Sequence, residues 1–114
     1  MRAKAEDRIK KLEEFANFVI ERLKTQETID ERALLKIEAE FEKSKIFILS
    51  SFTPAEIDMN PEIIQEISLI EAKLNTALEL ARSKHQTRIE QERASILREI
   101  VTMVSRLIEK LRLS

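Results

Sequence analysis

The chain has 114 residues, with no Gly, Cys, Trp or Tyr, only 2 Pro, 36% charged and 43% hydrophobic residues, and a formal net charge of −1. That length suits one domain, and the absence of Gly argues against the tight turns of most sheet folds and removes the glycine loops that cradle phosphates. The absence of Cys excludes disulfides, thiolate metal sites and a Cys nucleophile, and the balanced charge lacks the basic excess of a duplex-binding domain.

The first segment runs over about residues 2–25. Ala5, Ile9, Leu12, Ala16, Val19, Ile20 and Leu23 recur at spacings of three and four, which places them on one stripe of a helix. Phe15 falls at its edge and Phe18 nearly opposite. The run opens on charged residues with no apolar stretch of secretory type, which predicts a cytoplasmic protein. No stretch of 18 apolar residues predicts a membrane span.

Thr28-Ile29-Asp30-Glu31 reads as a capping box opening a second helix over about 29–51. Its stripe is Leu34, Ile37, Phe41, Ile48 and Phe52, with Leu35, Ile46 and Phe47 outside it. Ile46-Phe47-Ile48-Leu49 is apolar all the way round, so that turn is either wholly buried or serves a partner. Thr53-Pro54-Ala55-Glu56 combines an N-cap, a Pro at the first helical position and a Glu at the third. Asn60-Pro61 repeats the signal. Residues 53–60 therefore read as a loop holding one short helical turn.

From Pro61 the stripe is Ile63, Ile67, Ile70, Leu74, Ala77, Leu78 and Ala81. Residues 82–88 contain no apolar side chain. The pattern then resumes with Ile89, Ile96, Leu97, Ile100, Val101, Met103, Val104, Leu107, Ile108 and Leu111. No Gly or Pro interrupts 82–88, so local physics favours one helix over 61–112 of roughly 78 Å. Thr87-Arg88-Ile89-Glu90 also fits a capping box, and a break there gives four helices of similar length. Residues 53–81 carry six acids and one base, whereas 82–114 carry eight bases and four acids, so the two arms favour antiparallel pairing. The fold expectation is all-α: a single bundle domain of long antiparallel helices, three in number, or four if the third breaks near 83–87.

Catalytic and metal chemistry find little footing. His85 is the one His and stands in the polar bridge. The residue three before it is Arg82, so no Glu-x-x-His pair is formed and no metal or cofactor is implied. Ser83 and Ser95 lie near in sequence but without a nucleophile elbow. The paired acids Glu38/Glu42 and Glu62/Glu66 read as solvated faces, and no enzyme is expected. Arg82, Lys84, Arg88, Arg93 and Arg98 lean toward nucleic acid, but acids interleave with them and no aromatic stands between them to stack on bases. Phe18, Phe47, Leu69 and Leu80 lie off their stripes and suit either a larger core or a partner.

One family resemblance spans about residues 28–97. A charged helix opens Thr28-Ile29-Asp30-Glu31-Arg32-Ala33-Leu34-Leu35 and carries Glu38, Glu40, Phe41, Glu42 and Lys43. A polar Pro-containing loop follows. Then comes a long helix with Ile70-Glu71-Ala72-Lys73-Leu74-Asn75 and Arg88-Ile89-Glu90-Gln91-Glu92-Arg93. In this order of helices the chain resembles the flagellar type III export chaperones of the FlgN and FliT kind. The resemblance implies a cytoplasmic escort that holds an amphipathic helix of a secreted client. The residues expected to contact that client are Phe47, Ile96, Ile100, Val101, Met103, Val104, Leu107, Ile108 and Leu111, because a long third helix leaves its end uncovered by the first two. A self-assembling coiled-coil dimer is the alternative expectation, and a nucleic-acid adaptor the third.

Overall fold

The computed structural model describes residues 5–25, 29–82 and 89–113. The fold is all-α. Among the described residues there are five helices and no strand: α1 (Ala5–Lys24), α2 (Glu31–Ser50), α3 (Pro54–Met59), α4 (Pro61–Arg82) and α5 (Ile89–Leu113). The count exceeds the three or four expected because 53–60 forms a helix of its own. Thr53 caps it, accepting from the Glu56 N–H, while the Glu56 carboxylate accepts from the Thr53 N–H and Pro54 occupies the first turn. Asn60 closes it rather than capping α4 with its side chain: its amide donates to the Glu56 carbonyl at 2.9 Å. The Asn60 carbonyl meanwhile accepts the Ile63 N–H.

The N-cap of α2 is Asp30, whose carboxylate accepts from the Ala33 N–H at 2.9 Å. The capping box expected from Thr28 begins on a residue outside those described. Ile29 precedes the cap and Leu34 stands four residues into the helix, and both are buried in the common core, as a hydrophobic staple requires.

One expectation is overturned. A single helix over 61–112 would be roughly 78 Å long, whereas the longest dimension of the molecule is 47 Å. Instead α5 returns and packs along α4 and α1. Residues 83–88 lie outside the described residues, and so does the Thr87 cap. Cross-helix pairs give the directions. Arg8 meets Ser51 and Phe15 meets Phe41, so α1 and α2 run oppositely. Lys45 meets Glu71 while Arg82 meets Glu31, so α2 and α4 do too. Lys73 meets Glu99 and Lys110 meets Glu66 between α4 and α5. The Glu66–Lys110 pair joins the acidic arm to the basic one as the charge segregation predicts.

Each long helix thus packs on two neighbours, in the cyclic order α1, α2, α4, α5. The core between them holds Leu12, Phe15, Val19, Leu34, Ile37, Phe41, Ile48, Ile70, Leu74, Leu97, Ile100, Val104, Leu107 and Leu111. These are the stripe positions together with Phe15 from the stripe's edge, in the period of 3.6 that lets one face of each helix meet the centre. At one end α2 has no basic residue in its own last turn. Arg8 of α1 supplies it: Nε donates to Ser51 Oγ at 2.6 Å, Nη2 donates to the Ser51 carbonyl at 3.0 Å, and the guanidinium lies 3.8 Å over the Phe52 ring. A cation at a helix C-terminus interacts favourably with the carbonyls left free there.

Candidate functional site

The α5 stripe is where a client was expected, and the structure places it inward. Ile100, Val104 and Leu107 are 0% exposed and Leu111 is 1% exposed. They are sealed between α1 and α4, so they cannot receive a helix while the fold is intact. Ile96, Val101, Met103 and Ile108 are half-buried and pack against the same core. They border the seams of α5 rather than form an open groove. Phe47 is half-buried at the α1–α2 seam, with the Lys11 ammonium 5.3 Å from its ring centre. The reason for the difference is the chain reversal: once α5 folds back, its apolar face completes the core that the first two long helices and α4 leave open.

The turn 46–49 divides instead of sharing one fate. Ile48 is fully buried, Phe47 and Leu49 are half-buried, and Ile46 is 62% exposed. Leu35 is also exposed, at 42%, and Ala39 is exposed between them. Spacings of four and seven put Leu35, Ala39 and Ile46 within an arc of about 40° on α2. This stripe points away from the core. Along its edge toward α1 stand Arg32, Lys36 and Lys43, all exposed. Along its edge toward α4 stand Glu38 and Glu42. A shallow trough of about 540 Å³ beside Leu35 is lined by Glu31, Arg32, Leu35, Lys36 and Ala39. Sequence reading had set Leu35 and Ile46 apart from the core stripe but did not join them through Ala39. The four- and seven-residue spacing was the available signal.

Between α2 and α4 lies a cleft of about 270 Å³, lined by Glu38, Phe41, Glu42, Glu71, Leu74 and Asn75. Lys45 closes one side of it. Its ammonium is 2.8 Å from Glu71 and 3.6 Å from Glu42. The hydrogen bond to Glu71 raises the Lys45 pKa above its ordinary value, helped by the charges of Glu71 and Glu42 and opposed by partial burial. Among the described residues no group of three or more His, Cys, Asp or Glu is disposed to hold a metal ion. The residues weighed and set aside for catalysis are dispersed: Glu66 is paired with Lys110 across α4 and α5, Ser95 is exposed, and His85 and Ser83 lie outside the described residues.

The cations expected to favour nucleic acid do not converge. Arg82 is paired with Glu31 at 3.1 Å, Arg98 is exposed, and Lys84 and Arg88 lie outside the described residues. Arg93 is only 7% exposed, and its Nε is buried with no hydrogen-bond partner. Of the other residues set off their stripes, Phe18 is half-buried beneath the Arg22 guanidinium, Leu80 is half-buried, and Leu69 is exposed on α4. No helix among the described residues is long and apolar enough to cross a membrane. Comparison with protein-family models, with curated proteins and with solved structures returns no match.

Proposed function

We propose that this chain is a non-enzymatic helical binding protein that takes up an amphipathic helix of another protein on the outward face of α2. The observation that carries this reading is the aligned stripe of Leu35, Ala39 and Ile46. Single apolar residues scattered on a surface need no explanation. Two large aliphatic side chains and an Ala in one line along an otherwise charged helix are the pattern that receives the i, i+4, i+7 anchors of a docking helix. A rigid bundle behind that face keeps the ordering cost of binding low, since only the incoming helix loses freedom.

The most specific form of the reading is the cytoplasmic export escort implied by the resemblance over residues 28–97. In that form the captured segment is the amphipathic helix of a secreted subunit. The α5 stripe then serves the escort's own stability and the α2 face serves the client.

The test uses the full chain and a synthetic amphipathic helical peptide with Leu at its a and d positions and Gln on its flanks. Titration followed by fluorescence anisotropy of the labelled peptide gives saturable binding to the parent chain. Leu35→Glu combined with Ile46→Glu abolishes it while the helical circular dichroism of the protein is retained. Undiminished binding by that folded double variant overturns the assignment of the surface.

A further inference from the structure

The two edges of the α2 stripe carry opposite charge. On a helix of 3.6 residues per turn, Arg32, Lys43 and Lys36 lie about 40–80° to one side of the line through Leu35, Ala39 and Ile46, and Glu42, Glu31 and Glu38 lie about 40–80° to the other. Lys36 and Glu38 have no ion pair among the described residues. Lys43 is held by Glu40 at 3.3 Å and Glu31 by Arg82 at 3.1 Å, both exposed pairs that exchange easily. Beyond them Lys45 is turned to Glu71 and Glu42. Glu38, Glu42 and Glu71 thus share that cation, and the edge toward α4 stays net acidic. A uniformly acidic helix on the stripe answers the Lys edge and is repelled by the Glu edge, and a uniformly basic helix does the reverse. A helix with acids along one edge and bases along the other answers both, and α2 is itself such a helix.

Resting on the reading of this face as a docking surface, we infer that a second copy of the chain occupies it between clients: two α2 helices pack in parallel about a two-fold axis running along them, and a client helix is taken up as they part. That axis sets the Lys edge of each copy against the Glu edge of the other, on both seams. In a parallel pair, a flanking residue of one helix meets the residue five further along on the other. Glu31 then faces the partner's Lys36, and Glu38 faces the partner's Lys43. The antiparallel arrangement sets the Lys edge against the Lys edge, so charge fixes the orientation. The apolar stripe is short, and Glu42 stands in the seam between Ala39 and Ile46, beside its own copy. The pairing is therefore weak and concentration-dependent, as a face that must reopen for a client requires.

Sedimentation velocity of the full chain from about 10 μM to about 1 mM gives a reversible dimer. Lys36→Glu with Lys43→Glu makes both edges acidic, and Glu31→Lys with Glu38→Lys makes both basic. Each variant alone sediments as a monomer with its helical circular dichroism retained, and an equimolar mixture of the two restores the dimer. Glu42→Leu tightens the parent dimer by about tenfold or more. The monomeric Lys36→Glu, Lys43→Glu variant binds the Gln-flanked Leu peptide several-fold more tightly than the parent does at concentrations where the parent is dimeric, since none of its face is already covered. A parent that stays monomeric to about 1 mM and still binds the peptide overturns the second-copy inference and leaves the docking reading standing. A dimer that survives both charge variants, or that survives Leu35→Glu with Ile46→Glu, is built on another face and overturns the inference as well. A dimer that those substitutions dissociate, with no peptide bound by the parent or by the monomeric Lys36→Glu, Lys43→Glu variant, supports the second copy as occupant and overturns the capture of a foreign helix.

Discussion

Two apolar stripes of similar sequence character meet opposite ends. On α5, Ile100, Val104, Leu107 and Leu111 point between α1 and α4 and are sealed. On α2, Leu35, Ala39 and Ile46 point away from the bundle and remain in contact with water. Both repeat with a helical period, and neither can be told from the other by hydrophobicity. What separates them is whether a second stripe exists on the same helix. α2 has its own core stripe of Leu34, Ile37, Phe41 and Ile48, so the additional apolar residues are left over. α5 has one stripe, and the bundle uses it. A surplus is therefore recognised by subtracting the core face, not by counting apolar residues near a terminus.

The sharpest way to break this comparison is to place the same charge in both stripes. Ile100→Glu with Leu107→Glu buries two carboxylates among the apolar side chains of the core. Each unpaired buried ion costs several kcal/mol, against a total stability of about 5–15 kcal/mol for a domain of ordinary kind. The expected result is loss of the cooperative thermal transition in circular dichroism. Leu35→Glu with Ile46→Glu changes stability by no more than about 0.5 kcal/mol, as surface substitutions do. If the α5 double variant melts like the parent, the stripe is not core and the contrast fails.

Arg8 tests the next level, the joining of α1 to the end of α2. Arg8→Ala removes two charge-assisted hydrogen bonds to Ser51 and the stacking on Phe52. The expected cost is about 2 kcal/mol, read as a lower urea midpoint at unchanged m-value. Arg8→Lys recovers only part of it, because an ammonium lacks the planar fork and stacks less well.

Arg93 runs in the opposite direction. Its Nε is buried without a partner, and a buried donor left unsatisfied costs about 1–3 kcal/mol. Arg93→Met keeps the length and the apolar stem while removing that group. The expected change is a stabilisation of about 1 kcal/mol by urea denaturation, and a destabilisation of similar size shows that the guanidinium is satisfied in solution.

How much of this was legible follows from what periodicity can report. Most of the core faces of α2 and α4 was readable, because a stripe of period 3.6 needs only spacing, but Phe52 and Ala81 at the stripe ends are only half-buried and buried Ser44 gave no apolar signal. The short helix α3 was readable as a capped helical turn, since Thr53, Pro54 and Glu56 act within one turn, and the structure extends that turn to Pro54–Met59. The reversal between α4 and α5 was not readable. No Gly or Pro marks it, and a charged run tolerates helix and turn alike, so the choice is made by tertiary burial of Leu97, Ile100, Val104 and Leu107. The expected site inherited that error: an unbroken helix leaves its end bare, a returned one does not. The charge pairing along α2 was equally hidden, because spacing alone does not show that Glu31 turns to Arg82, Glu40 to Lys43 and Glu42 to Lys45.

The smallest effect sharpens the contrast between the two edges of the α2 stripe. Lys45 sits on the α4 edge and bridges Glu71 and Glu42, so its folded pKa lies above the ordinary Lys value, chiefly through the Glu71 hydrogen bond. A raised folded pKa means that the protonated group stabilises the fold at every pH below the unfolded value of about 10.4, and that this contribution fades as pH climbs through the higher folded value. Partly exposed ion pairs are worth little, so Lys45→Met costs about 0.5 kcal/mol at neutral pH. The parent and the variant should then stay a constant distance apart from pH 6 to 9 in urea midpoint and converge only above about pH 10.4, in the alkaline range where Lys loses its proton. Lys36 has no carboxylate partner among the described residues, so Lys36→Met should leave the urea midpoint at neutral pH unchanged. A loss at Lys36 equal to that at Lys45 means that the bridge between α2 and α4 adds nothing beyond what an exposed lysine contributes.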